Sequence, residues 1–347
     1  MRILVVKLTS MGDVLHLMPA LSDLAKNQAE LKVDWMVEES FAEIPSWHSS
    51  VDKVIPVATR RWRKLKWSTM SEFLKFWRSL RERRYDVVLD AQGLIKSAMF
   101  ARFAKLTSSG QRIGFSADSI KESFAARFYQ TRLSVAQDQH AIERLRKLVG
   151  LGFAYQSSTS IDYGLVGLQN VAVQSRQNKS LMFFHGTTWE SKHLPETLWH
   201  TLISLAHNDG YRVLLAWGSE EEKQRAERLA KGKANVAVLE RLSLNELKVQ
   251  IEQCAGVISV DTGLGHMAAA LGTPCVSVYG STSAELTGAM GNNQTRLQSS
   301  YPCSPCFSKR CLKLTEQVLD PPCYSKPEQN GGISAETIWQ ILFEKIV

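Results

Sequence analysis

The sequence predicts an α/β protein made of two doubly wound domains in tandem, and three observations carry that prediction. At 347 residues the chain has room for two domains of about 100–200 residues each. Short apolar runs alternate with amphipathic stretches, as they do where parallel strands are joined by helices. The alternation gives way to a polar stretch rich in Gln, Ser and Asn near residues 155–178 and then starts afresh, which puts a linker there and the domains at 1–165 and 166–347. Hydrophobic residues make up 44% and charged residues 22%, which fits a globular chain with a sizeable core and excludes a disordered, collagenous or coiled-coil chain.

The elements follow in order. Residues 2–7 read as a strand, a polar loop comes next, then a helix over 14–26 and a strand over 33–37, the opening of an α/β unit. The apolar runs Val54-Ile55-Pro56-Val57 and Val87-Val88-Leu89 flank a helical pattern near 69–84. Between about 105 and 175 the pattern weakens, with one helix over 138–148. The second series opens with the strand Leu181-Met182-Phe183-Phe184 and a helix whose first turn holds Pro195. Strands at 213–216, 236–239, 257–260 and 276–279 alternate with helices near 219–231, 243–254 and 264–271. A closing helix over 334–346 carries an apolar stripe at Ile338, Ile341, Leu342 and Ile346.

Several classes are excluded or disfavoured. The apolar run Ile3-Leu4-Val5-Val6 meets Lys7, too soon for a signal-peptide core or a membrane span, so a cytoplasmic location is expected. Gly-Lys-Ser/Thr with its spaced glycines, a helical H-x-x-x-H pair and a G-x-S-x-G elbow are all missing, which argues against a P-loop nucleotidase, a zinc hydrolase and an esterase. Six cysteines include four at Cys303, Cys306, Cys311 and Cys323. In a reducing compartment these read as a thiol or metal group before disulfides, although their irregular spacing fits a zinc knot only loosely.

The net charge of +8 is localised. Residues 1–170 hold 25 basic and 17 acidic side chains, residues 171–347 hold 17 of each, and residues 60–84 alone hold ten basic against two acidic. That stretch opens with Arg60-Arg61-Trp62-Arg63-Lys64-Leu65-Lys66-Trp67. Arg pairs well with carboxylate and phosphate, and Trp favours a membrane interface, so an anionic partner is expected there. No helix-turn-helix, OB or RRM signature accompanies it, so nucleic acid is not expected. Its later part, residues 78–84, reads as an ordinary solvated helix with an apolar face packed on the domain.

In open α/β sheets, ligands bind beyond the carboxyl ends of strands. After the first strand comes Lys7-Leu8-Thr9-Ser10-Met11-Gly12-Asp13. Asp13 reads either as a helix cap or first-turn acid, or as a general base. The corresponding loop of the second half is His185-Gly186-Thr187-Thr188-Trp189-Glu190-Ser191-Lys192. Hydroxyls, backbone donors and one Lys ahead of a helix make a phosphate cradle, or else a solvated loop. Asp261-Thr262-Gly263 ends a third candidate strand. Gly263 to Ala268 formally fits the dinucleotide pattern G-x-G-x-x-A, but late in its domain, and the Asp and Thr suit sugar hydroxyls and a diphosphate better. His266 reads as a helix-face residue that packs or makes one hydrogen bond.

These segments together resemble the lipopolysaccharide heptosyltransferases from Met1 to about Gly280. In the first half the resemblance is carried by Lys7 to Asp13 with Val14-Leu15-His16, by Val37-Glu38-Glu39, and by Ile44-Pro45-Ser46-Trp47-His48. It continues in Val54-Ile55-Pro56-Val57 with the basic stretch, and in Asp90-Ala91-Gln92-Gly93-Leu94 with Lys96-Ser97-Ala98. The second half adds Thr187-Thr188 with Lys192-His193, Trp217-Gly218 with Glu222, and Ser259-Val260-Asp261-Thr262-Gly263-Leu264 with His266. Most are similar to the type that adds the first heptose.

The resemblance implies a GT-B fold, with two Rossmann-like domains facing a cleft and room for a closing helix that crosses back to the first domain. It implies ADP-L-glycero-D-manno-heptose as donor in the second domain and Kdo2-lipid A as acceptor in the first, at the cytoplasmic face of the inner membrane, with no metal or other cofactor. Asp13 would be the general base. Lys192, Thr187, Thr188 and the helix start at Thr262-Gly263 would meet the diphosphate, Asp261 the heptose hydroxyls and Glu222 the ribose. Trp217, Leu264 and His266 complete the donor set. Arg60, Arg61, Arg63 and Lys64 would face Kdo carboxylates and lipid A phosphates, beside Thr9, Ser10, Met11, Gly12, Gln92 and Lys121. Lys121 stands where the family often has Arg, keeping charge without the bidentate fork. The Cys303–Cys323 segment resembles the wider family, including second-heptose enzymes. The residues by themselves leave open a nicotinamide oxidoreductase and a non-catalytic membrane or nucleic-acid adaptor, and they leave the oligomeric state open.

Overall fold

A computed structural model describes residues 1–63, 67–166, 179–315, 318–325 and 331–347. The chain divides into two compact units, Met1–Val166 and Gly167–Val347. Lys64, with Leu65 and Lys66, lies outside the described residues.

The first unit runs β1 (Arg2–Val6), α1 (Met11–Asn27), β2 (Lys32–Glu38), β3 (Val51–Val57), α2 (Thr59–Trp62), α3 (Trp67–Glu82), β4 (Arg84–Asp90), α4 (Ile95–Phe103), β5 (Lys105–Phe115), β6 (Thr131–Leu133) and α5 (Ala141–Phe153). Its six strands are parallel in the order β3-β2-β1-β4-β5-β6. Helices cover both faces of such a sheet, which is why Ile3 to Val6 is an unbroken apolar run with no exposed surface. Within the stretch where the sequence pattern weakens, residues 105–115 and 131–133 form β5 and β6. β5 is an outer strand with half-buried and exposed residues until Ile113, so the continuous apolar run that marks the central strands is absent. α5 packs on α1 through the buried pair Arg146 Nε to Asp23 Oδ2 at 2.7 Å.

The second unit runs β7 (Ser180–Phe184), α6 (Glu196–Asn208), β8 (Arg212–Leu215), α7 (Glu220–Ala230), β9 (Val236–Val238), α8 (Leu244–Gln253), β10 (Gly256–Val260), α9 (Gly263–Ala270), β11 (Cys275–Tyr279), α10 (Ala284–Thr287), β12 (Gln294–Gln298), α11 (Pro322–Ser325) and α12 (Ala335–Ile346). Its parallel order, β12-β11-β10-β7-β8-β9, repeats that of the first sheet strand for strand. Pro195 stands just ahead of α6 rather than in its first turn. The closing helix α12 belongs to the second unit. It seals the second core, with Ile338, Leu342 and Ile346 buried there and the Trp339 indole N–H bonded to Asp209 at 2.8 Å.

In both sheets the strand order reverses beside the first strand, between β1 and β4 and between β7 and β10. Ligands of doubly wound sheets sit at that reversal, beyond the strand carboxyl ends. Four loops meet the condition: those after β1 and β4 in one unit, and those after β7 and β10 in the other. Among the described residues, no helix is long and apolar enough to cross a membrane.

Candidate active site

In the first unit, the loops after β1 and β4 are tied together by Gln92. Its Oε1 accepts from the Leu8 and Thr9 amides at 3.0 and 3.2 Å. Gln92 is itself placed by Asp90, fully buried at the end of β4, whose carboxylate accepts from the Gln92 and Gly93 amides, Ser97 Oγ and the Tyr129 hydroxyl at 2.7–3.1 Å. Burial pushes the Asp90 carboxyl above its ordinary value, and these four donors pull the other way.

Asp13 lies in the first turn of α1. Oδ2 accepts from the Ser10 amide and hydroxyl, both at 2.8 Å. Oδ1 faces Lys7 Nζ at 3.7 Å, beyond hydrogen-bond distance. Lys7 is buried and donates to the Ala91 carbonyl at 3.2 Å. One oxygen of Asp13 is therefore occupied in capping, and the other stays available on a carboxylate 42% exposed. Met11 and Gly12 are the first residues of the same helix.

The basic stretch separates into two parts. Arg61 is held by Glu39 at 2.8 Å and Glu72 at 3.0 Å. Arg60 and Arg63 are exposed and lie near enough to Lys96 to repel its charge. Burial lowers the Lys96 pKa first, Glu38 raises it, and Arg63 and Arg60 lower it further. Lys96 Nζ donates to Thr59 Oγ1 at 3.0 Å, and that hydroxyl donates to Glu38 at 2.7 Å. Arg60, Arg63 and Lys96 are thus gathered, and Lys96 enters the cluster from the motif after β4, with only its place in that motif to announce it. Trp62 packs on Phe73 and Phe76, at ring distances of 5.5 and 5.0 Å, so its role is in the core rather than at a membrane. Exposed Lys121 sits between Ile120, which abuts Gly93, and Glu122, which accepts from the Ile95 amide at 2.7 Å.

In the second unit Asp261 is the hub. Lys192 Nζ pairs with its Oδ2 at 2.7 Å, their side chains only 15% and 8% exposed. The Thr282 hydroxyl donates to the same oxygen, and Thr187 Oγ1 donates to the Asp261 carbonyl at 3.1 Å. Lys192 also lies 4.6 Å from the centre of the Trp189 ring. Thr262 precedes α9, with Gly263 and Leu264 half-exposed at its open N-terminus. Gly265 lets that helix lie on the sheet, since a Cβ there would come within 2.8 Å of Ser259 Oγ. His266 is buried on the same helix, and Thr188 is exposed on the loop after β7.

Glu222 caps α7 through the Gly218 amide at 2.7 Å, and its other oxygen lies over Gly186, where a Cβ would collide with it. Trp217 is fixed beside it by a 2.7 Å bond from its indole to the Leu239 carbonyl. Arg225, which the sequence did not single out, donates to the His185 carbonyl at 3.4 Å and touches His193 Nδ1. The four clustered cysteines are all free thiols. Burial raises the Cys323 thiol to about 12, and Cys311, Cys303 and Cys306 nearby add to the effect. Among the described residues, no group of three or more His, Cys, Asp or Glu side chains is arranged to hold a metal ion.

Two buried histidines predict acid lability. Burial holds His48 in the first unit and His185 in the second at about 4. Unfolded histidine titrates near 6.5, so the unfolded chain binds these protons first. The stability they contribute is full above pH 6.5 and falls towards pH 4, by roughly 3 kcal/mol per histidine. Urea unfolding at pH 7 and 4.5 measures this, and His48→Gln should flatten the first unit's share. Equal stability at both pH values would contradict it.

A model of glycosyltransferase family 9 (heptosyltransferase) matches residues 73–315. The chain belongs to that family. Lipopolysaccharide heptosyltransferase 1 of Pseudomonas aeruginosa is 46% identical over 90% of this chain and 87% of its own length. The same-named protein of Escherichia coli K12 is 42% identical over 85% of this chain and 92% of its own. The solved structure of E. coli heptosyltransferase WaaC with ADP superposes with a TM-score of 0.84 at 37% identity, covering 99% of this chain and 100% of that one. The fold is GT-B-like, and this family 9 chain is a glycosyltransferase of heptose transfer in lipopolysaccharide core synthesis.

Proposed function

We propose that the protein transfers L-glycero-D-manno-heptose from ADP-heptose to the first Kdo of Kdo2-lipid A with inversion, at the cytoplasmic face of the inner membrane. The observation that carries this reading is the state of Asp13, one oxygen fixed by its own helix cap and the other open beyond a strand end. Asp13 Oδ1 removes the proton from the acceptor Kdo hydroxyl, whose oxygen attacks the anomeric carbon from the face opposite ADP. The bond to the diphosphate breaks, and its charge is met by Lys192, Thr187, Thr188 and the α9 N-terminus. A lysine has three donors, so Lys192 can keep Asp261 and still reach a phosphate oxygen. In this reading these groups do the work for which other transferases use a metal, and no cofactor is required. Asp261 holds heptose hydroxyls, and Glu222 the ribose over the bare Gly186. Arg60, Arg63 and Lys96 take the acidic groups of the acceptor.

Pure protein given ADP-heptose and Kdo2-lipid A should release ADP. Activity only on an already heptosylated acceptor would move the assignment to the second heptose. Replacing both Arg60 and Arg63 with Gln should raise the acceptor KM by about tenfold or more and reduce its salt dependence, at about 1 kcal/mol per cation near an anionic surface. ADP-heptose affinity should stay within about twofold, as expected for independent sites. Equal loss of both affinities would contradict the division.

A further inference from the structure

Of the fourteen large apolar side chains exposed among the described residues, six fall between residues 70 and 124: Met70, Leu74, Ile95, Met99, Phe103 and Phe124. Single exposed apolar residues need no explanation, whereas a contiguous group does. Met70 and Leu74 are spaced i, i+4 on α3, and Ile95, Met99 and Phe103 are spaced i, i+4, i+8 on α4, so each helix turns one apolar stripe outward. Right-handed crossovers from β3 to β4 and from β4 to β5 put both helices on the same face of the first sheet. Ring contacts join them, Trp77 to Phe103 at 4.6 Å and Phe76 to Phe100 at 5.5 Å. The bond from the Ile95 amide to Glu122 brings the short 3-10 segment Ser123–Phe128, with Phe124, beside the start of α4.

Cations are interleaved with these side chains. Residues 70–82, 95–103 and 123–128 hold six basic and two acidic residues. Both acids are engaged, Glu72 with Arg61 and Glu82 with Lys53. Arg81 lies 5.6 Å from the Trp77 ring centre and Arg127 lies 4.9 Å from that of Phe124, so the guanidinium groups stack on the apolar patch itself. Protein–protein interfaces also favour Met, aromatic residues and Arg, though they are poor in Lys, so it is the one-sign charge of this face, with both of its acids already engaged, that sets it apart. A face that mixes Met, Leu and Phe with Arg and Lys in this way matches an anionic bilayer, with acyl chains below and phosphates around.

We propose that the outer face of α3, α4 and Ser123–Phe128 rests on an anionic phospholipid surface. α4 begins directly after the loop that holds Gln92, so docking there presents a membrane lipid to the carboxyl end of β4. The proposal deepens the lipid-acceptor reading and rests on it only for the identity of that lipid.

Vesicle co-sedimentation of the full-length protein tests it without passing through transfer. The protein should bind phosphatidylglycerol-containing vesicles, bind phosphatidylcholine vesicles far less, and release as salt rises. Two double variants replace outward-facing residues, Leu74→Ser with Met99→Ser and Arg78→Glu with Arg102→Glu. Each should weaken vesicle binding by about tenfold or more, with unchanged circular dichroism and unchanged ADP-heptose affinity. Binding indifferent to lipid charge, or retained by both double variants, overturns the proposal. So does self-association in sedimentation equilibrium that the same substitutions abolish, which would make the occupant a second copy of this chain. Vesicle binding without transfer to Kdo2-lipid A would instead remove the acceptor assignment and leave the surface standing.

Discussion

Asp13→Asn should lower kcat by about 10²–10⁴-fold, the usual contribution of a positioned general base, while ADP-heptose affinity is unchanged. The choice of Asn matters because Asp13 has two roles. Its Oδ2 accepts from the Ser10 amide and hydroxyl, and an asparagine oxygen can keep accepting there, so the helix start is preserved while the base is removed. Asp13→Ala removes both, and should add a stability cost of about 1 kcal/mol for the lost cap. A pure capping role predicts the opposite pattern, with near-normal turnover in the Asn variant and a defect confined to Ala. Steady-state kinetics on both variants, with thermal unfolding alongside, separates the two readings that the sequence left balanced at this residue. Turnover of the Asn variant within a few-fold of the parent would remove Asp13 as the base.

What the sequence revealed depended on how locally each feature is encoded. The central strands were legible because parallel strands covered on both faces must be largely apolar, as Ile3 to Val6 is throughout and Val257 to Val260 is apart from the buried Ser259. The outer strand β5 was not legible, because its half-exposed residues carry no such run. The loops after β1 and β7 could be found from their position alone. Asp90 could not, since a strand-end carboxylate looks the same whether it faces solvent or, as here, is buried under four donors that set the orientation of Gln92.

The basic stretch shows the same limit. Ten cations within residues 60–84 are countable in the sequence, but their partners are not. Arg61 is engaged by Glu39 and Glu72, and Arg83 by Asp34 and Asp52 at 2.8 and 2.9 Å. Arg60 and Arg63 are left to act with Lys96, which lies more than thirty positions along the chain from either. The later turns of α3 behave as the sequence suggested in burying Phe76 and Leu80, yet the same helix turns Met70 and Leu74 outward. Amphipathic periodicity locates the buried stripe and is silent about a second apolar stripe on the solvent side.

The second large effect is expected at Lys192, where catalysis and stability can be separated. Lys192→Met removes a cation from the proposed diphosphate site and should cost about 10²–10³-fold in kcat, as the loss of one donor to developing negative charge typically does. It also leaves Asp261 buried, with the Thr282 hydroxyl but no countercharge. Removing one member of a buried pair costs about 3 kcal/mol or more, so the second unit should melt roughly 10 °C lower. Poor turnover in this variant could therefore come from a damaged fold alone. Pairing it with Asp261→Asn resolves the ambiguity, because the double variant buries no unpaired charge and should regain most of the lost stability. If Lys192 acts on the diphosphate, the double variant, though stable, should transfer well below the level of the Asp261→Asn single variant and bind ADP more weakly than that variant does. Recovery of transfer along with stability would make the lysine a structural counterion, and the developing charge would then fall to the α9 N-terminus and the threonines after β7.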